Sequence, residues 1–180
     1  MEAMPKAKLA AQRALEIDEA VAEAHVALGS VLMSYEWDWQ GARREFSRAI
    51  ELNPGYAIAH QRLALYFNLT GSFVDALREC DVALNLDPLS PAICTSVALA
   101  FFLMGDHEHA IQQAEQSLEI DPIYHPTHYL LGWIYKRQGD LSKALDSFER
   151  VTILDDSSLY LAALAHAYGL NGSVDRKSVV

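Results

Sequence analysis

The chain has 180 residues, 51% of them apolar and 21% charged, a composition suited to one soluble domain with a substantial buried core. Its formal net charge is −10 with histidine neutral, and no Lys/Arg-rich run offsets that excess, so a nucleic-acid backbone would meet net repulsion. Cys80 and Cys94 form neither a CxxC pair nor a disulfide framework, which excludes a cysteine-stapled secreted scaffold and fits a reducing, cytoplasmic compartment.

Helices are predicted near 5–17, 22–34, 38–52, 57–69, 72–86, 91–104, 107–120, 125–137, 140–154 and 158–170. The opening "MEAMPKAKLA" lacks the continuous apolar stretch of a secretory leader. In the segment 57–69, Leu63 and Phe67 recur at helical spacing with Ala59 and Ala64 between them. The break at Gly71 is followed by Ser72, whose oxygen suits the free N–H groups of the next first turn; Asp106 and Asp140 stand in the same place. The second helices at 38–52, 72–86 and 107–120 end at an Asn-Pro or Asp-Pro step, because proline clashes with a helix continuing before it. The nearly apolar run from Ile93 to Met104 is too short for the about 20 residues that span a bilayer, and reads as a buried helix.

These elements repeat. Ala42, Ala76, Ala110 and Ala144 stand 34 residues apart, as do Pro54, Pro88 and Pro122, and Gly71, Gly105 and Gly139. Upstream, Leu63, Val97 and Leu131 keep the step, and so do Phe67, Phe101 and Tyr135. Small residues at Gly29, Ala64, Ala98, Gly132 and Ala165 are expected to let paired backbones approach closely. The step from His25 to His60 is 35, so "YEWDW" (35–39) holds one extra residue. Asp38 aligns with the N-cap column, Trp39 with the start of a second helix, and Trp37 with the glycines, so the aromatic box reads as a rebuilt turn.

The 34-residue period, "LGWIY" at 131–135, the later alanine, the aromatic at Phe46 or Phe148 and the terminal proline together resemble the tetratricopeptide repeat. The resemblance covers nearly the whole chain and implies an all-α fold, a right-handed superhelical solenoid of antiparallel helix pairs. It departs from the family at His25, His60, Cys94 and His128, where tryptophan is frequent, and at Asp156 in place of the last proline. The implied organisation is a second helix of an incomplete repeat at 5–21, complete repeats at 22–56, 57–90, 91–124 and 125–157, and a truncated repeat at 158–180. The opening phrases also resemble repeat arrays of multidomain bacterial regulators, and both ends read as cut from a longer protein.

Catalytic and metal sites find little support. His25, His60 and His128 share one core-facing column; His125 and His128 lie on one helix with no evident third ligand; the cysteines fall in core columns with no paired base. No cofactor is expected. In the family, first helices line a concave groove, which maps here to Val26, Ser30 and Met33, then Gln61, Leu65 and Asn68, then Thr95, Leu99 and Phe102, then Tyr129, Trp133 and Lys136, and finally Ala162 and His166. The lining is mostly neutral, unlike a Lys/Asn/Arg clamp for a terminal carboxylate, and turns aromatic towards its C-terminal half. The resemblance implies a non-catalytic scaffold binding a protein or peptide segment, with no nucleic acid and no membrane. The alternatives are a ligand-sensing domain of a larger regulator and a structural array that self-associates through open ends.

Overall fold

The computed structural model describes residues 3–155 and 157–177, with side chains to Leu170. The described residues are all-α: α1 (Ala3–Ile17), α2 (Ala22–Val31) continued by a π-helical turn (Leu32–Glu36), α3 (Trp39–Leu52), α4 (Ala57–Thr70), α5 (Phe73–Leu86), α6 (Pro91–Met104), α7 (His107–Ile120), α8 (His125–Gln138), α9 (Leu141–Leu154) and α10 (Ser158–Lys177). They form two compact units, Met1–Leu89 and Ser90–Val180. In the first, α2 pairs with α3 and α4 with α5, while α1 lies on α2; in the second, α6 pairs with α7 and α8 with α9, while α10 lies on α9.

The turn inside each pair follows from two residues. Gly71, Gly105 and Gly139 close their helices at φ 82°, 85° and 83°, a left-handed conformation that costs glycine nothing. The next N–H then reaches back to Phe67, Phe101 or Tyr135, at 2.9, 2.9 and 3.0 Å. Asp38, Asp106 and Asp140 cap the following helices by accepting from the N–H of Gly41, His109 and Lys143. Ser72, expected to do the same, makes no such bond. Asp106 also accepts from the His109 ring, and that bond, then the backbone one, holds its carboxyl below the usual range. At the far ends Asn53, Asp87 and Asp121 turn to φ −139°, −140° and −137°, as the following prolines require. Asp156 lies outside the described residues.

The extra residue of the first unit is absorbed in the π-helical turn, where Asp38 N–H reaches Leu32, six residues back, at 2.9 Å. Trp37 takes the place of the capping glycine at φ 58°, a conformation that costs a non-glycine residue about 1–2 kcal/mol. Its ring leans on Trp39 at 6.1 Å, and Trp39 packs on the cluster of Met33, Ala42, Phe46 and Leu63.

In two of the pairs a glycine faces a phenylalanine. Phe46 and Phe148 are both fully buried, and a Cβ placed on Gly29 or Gly132 would lie 2.7 or 2.5 Å from the Phe46 or Phe148 ring. Where the repeat has Ala64 and Ala98, the phenylalanine column carries Cys80 and Ala114, all four fully buried. Ala165, expected in this close-contact column, is exposed; α10 packs through Ala163 and Ala167, four residues apart, against Phe148. The last helix also runs on to Lys177 rather than ending near 170, because the columns of Gly139 and Asp140 hold Ser173 and Val174.

The recurrent histidines hold the loop that precedes them. His60 sets Nε2 3.1 Å from the Pro54 carbonyl and Nδ1 2.7 Å from Glu79; His25 does the same with Glu19 and Glu45, at 3.1 and 2.6 Å. Both partner oxygens are acceptors, so the ring bonds both when each nitrogen carries a proton. His128 keeps the loop bond, to Pro122 at 2.9 Å, while the glutamate column holds Ser147.

Ala98→Leu or Gly132→Leu is expected to overpack these crossings and cost about 1–3 kcal/mol. The exposed Glu115→Gln should shift stability by less than about 0.5 kcal/mol. Urea melts of the three variants check this, and equal effects would mean the helix pairing is wrong.

Candidate functional site

The face expected to be open behaves differently in the two units. In the first, α4 packs against α2, α3 and α5, as α8 packs against α6, α7 and α9 in the second, and the difference lies in the side chains. Gln61 and Asn68 are buried, and Leu65 packs on the Met33–Phe46–Leu63 cluster. Val26 and Met33, also expected on the open face, are buried against Ala59 and Leu63 from α4. Ser30 donates to the Val26 carbonyl of its own helix at 2.8 Å. This stretch is committed to packing.

In the second unit, Thr95 donates to the Pro91 carbonyl at 2.7 Å and meets Thr127 at 2.6 Å and Ser117 at 3.2 Å, closing a hydroxyl network between α6, α7 and α8. Leu99 packs on the cluster of Ala98, Ala114, Leu130 and Ile134. Both serve the interior. Ala162 is exposed on α10.

The remaining residues converge. Phe102 of α6 and Trp133, Lys136 and Arg137 of α8 line a pocket of about 260 Å³. Trp133 and Lys136 are three residues apart, Trp133 and Arg137 four, so all three share one helical face. Each cation covers a ring: Lys136 Nζ lies 4.2 Å from the Trp133 ring centre, and the Arg137 guanidinium 5.6 Å from that of Phe102. Lys136 also donates to His166 Nε2 at 2.8 Å, so that nitrogen must be the acceptor and the proton of a neutral ring sits on Nδ1. His107 flanks Phe102 at 5.8 Å between ring centres.

Core aromatics support the pocket from behind. Trp133 meets Phe148 edge-on at 5.5 Å, and Tyr129 meets Phe148 at 6.1 Å and Trp133 at 6.0 Å. Tyr129 is therefore backing rather than lining. Tyr160 of α10 sits 5.0 Å from Tyr129 and 5.8 Å from His125. Burial, first, and then the negative charge of Asp155 hold the Tyr160 phenol above the ordinary tyrosine value; Tyr135 is raised too, again by burial first. Arg137 escaped the sequence reading, although its position four residues after Trp133 was a sufficient signal. Such a pocket can take an apolar side chain against its rings and an adjoining carboxylate at its cations.

Sequence models described as tetratricopeptide repeat match residues 38–91, 91–124 and 125–158. No curated protein matches the chain. Among solved structures it is similar to TTC0263, a thermophilic protein of this repeat class from Thermus thermophilus, with 23% identity, coverage of 86% of this chain and 85% of that one, and a TM-score of 0.79. It is similar to the Cut9–Hcn1 hetero-tetramer of the APC/C at 18% identity, covering 96% of this chain and 35% of that one, with a TM-score of 0.84. It is also similar to YrrB, described as having an unusual peptide-binding site, at 16% identity, 91% and 84% coverage and a TM-score of 0.59. At these identities the likeness speaks for the fold alone.

A raised phenol favours the native state only while it stays protonated. Tyr160 thus contributes stability that is full below the ordinary value near pH 10 and lost as pH rises through the higher native value. Tyr160→Phe is expected to show a shallower loss of stability above about pH 10 than the parent chain, measured by denaturant melts across the alkaline range. Identical alkaline limbs would remove Tyr160 as a cause.

Proposed function

The chain belongs to the tetratricopeptide repeat family, and from that premise we propose that it is a non-catalytic interaction module that binds a peptide segment of a protein partner. The observation that carries this reading is the Phe102–Trp133–Lys136–Arg137 pocket, an apolar recess edged by two cations in an acidic chain. Aromatic rings bury much area with few rotamers to freeze, which suits an anchor site. A partner segment would place an apolar side chain between Phe102 and Trp133, and an acidic residue beside it would meet Lys136 or Arg137.

Size favours a peptide anchor over a small-molecule sensor. At about 260 Å³ the recess falls below the roughly 300–1,000 Å³ of pockets that enclose small ligands. The peptide-binding site attributed to YrrB, a protein of the same fold, also supports a peptide. His166, tied to Lys136, belongs to the rim of the proposed site. Thr95, Leu99, Gln61, Leu65 and Asn68 drop out of it, because their side chains serve packing. We place the protein in a reducing, cytoplasmic setting, which its two buried free cysteines suit. Among the described residues no helix is long and apolar enough to cross a membrane.

Trp133→Ala is expected to weaken partner binding by about 2 kcal/mol or more if the ring is the anchor. Trp37→Ala, in the rebuilt turn, should leave affinity unchanged. Calorimetry with a partner captured by pull-down, on variants shown to stay folded, checks both. Equal affinity for Trp133→Ala and the parent chain would move the site off this face.

A further inference from the structure

The second charge anomaly lies in the first unit, on α3. At about 100° per residue, Gln40, Arg43, Arg44, Ser47 and Arg48 fall within an arc of about 140°, facing away from the buried Ala42, Phe46 and Ala49. With Glu51 at the end of α3 and Tyr66 of α4 they line an open cleft of about 730 Å³. Three of the chain's 14 basic residues thus share one face, in a chain of net charge −10.

Repeat packing does not require arginine there. The 34-step equivalents of Arg44 and Ser47 are Arg78 and Asp81, then Gln112 and Glu115, then Asp146 and Glu149. Those of Arg43 and Arg48 are Leu77 and Val82, then Ile111 and Gln116, then Leu145 and Arg150. In each of these columns at least two of the other three units carry an acidic, neutral or apolar side chain, and no other unit has more than one arginine at these places, so the helix pair does not require the cluster.

Nor are these cations neutralised within the unit. Arg48 meets Glu51 at 3.0 Å, but both side chains are more than half exposed, and such a pair contributes little. Arg43 lies 5.8 Å from the Phe67 ring centre, which fixes its position without cancelling its charge. Arg44 has no ion pair among the described residues.

We propose that this cleft binds an acidic peptide segment carrying several Asp or Glu carboxylates. The cleft is far larger than one small anion fills. Arg43 and Arg48 are separated by about 7.5 Å along the helix axis, close to the roughly 6.8 Å between alternate residues of an extended strand. Alternate carboxylates on an extended segment can therefore meet successive guanidinium groups, each able to form paired N–H···O bonds. Gln40 and Ser47 offer polar groups to the peptide backbone, and the Tyr66 ring forms an apolar wall. The chain's overall negative charge opposes this encounter, so binding must depend on short-range pairing and weaken steeply with salt.

The test is fluorescence anisotropy at low salt with a labelled peptide of alternating Glu and Ser, against an all-Ser peptide and tripolyphosphate. The Glu-Ser peptide is expected to bind, and Arg44→Glu to weaken it about tenfold or more, with Arg44→Gln intermediate. Arg78→Glu, at the equivalent place on α5, and Trp133→Ala should leave it unchanged, which separates this site from the Trp133 pocket. Any one of three results would overturn the proposal: no binding of the Glu-Ser peptide, equal affinity for Arg44→Glu, or tripolyphosphate binding as tightly with the same loss in Arg44→Glu. The last would assign the cleft to a small anion.

Discussion

Phe148 fills the notch that Gly132 leaves on the facing helix, and the rest of the second unit is arranged around that contact. A single Cβ on Gly132 would lie 2.5 Å from the ring, so the two helices hold their separation only while one side is large and the other absent. The same trade recurs in graded form, as Gly29 with Phe46 and Ala64 with Cys80, while the Ala98 and Ala114 positions are both small. The size of one partner sets what the other can be. That reciprocity lets a 34-residue period survive wide variation in sequence. It also reaches the surface, because Trp133 and Tyr129 stand edge-on against Phe148 and take their orientation from it.

Helices and turns were legible in the sequence because local chemistry decides them. A left-handed glycine followed by an aspartate, and a proline after an Asn or Asp, act within a few residues and need no knowledge of the packing. Ser72 shows where that reasoning stops, since a capping residue in the right place can leave its bond unmade. The extra residue before Asp38 was countable, but its absorption into a π-helical turn depends on keeping α2 and α3 in register, a tertiary demand. The burial of Gln61 and Asn68 was not legible either. Family position put them on an open face, whereas both side chains are buried. Of the candidate site, Phe102, Trp133 and Lys136 were indicated by family position and Arg137 by its spacing from Trp133; the backing role of Tyr129 emerged only with the geometry of α8 and α9.

Polar groups divide along the same line. Some are spent on the interior: His25 and His60, in a repeat column, tie loops to glutamates, and in the second unit Thr95, Ser117 and Thr127, which stand where other units have Gln61, Ala83 and Ile93, close on one another. Others stay outside, as with the arginines of α3 and the Lys136–Arg137 pair. A repeat fold thus supplies its own reference, in which a residue the columns do not require and the packing does not use is free to serve a partner.

The coupling between Gly132 and Phe148 tests the central claim most directly. A double-mutant cycle of Gly132→Ala and Phe148→Cys, read by urea unfolding, converts this crossing towards the Ala64–Cys80 pair. Each single change should be costly, about 1–3 kcal/mol for the added methyl and about 2–4 kcal/mol for the lost ring. The double variant should recover about 1 kcal/mol or more relative to their sum, because the alanine then meets no ring. Additivity within about 0.3 kcal/mol would contradict the account, since the two residues would not then be setting each other's size.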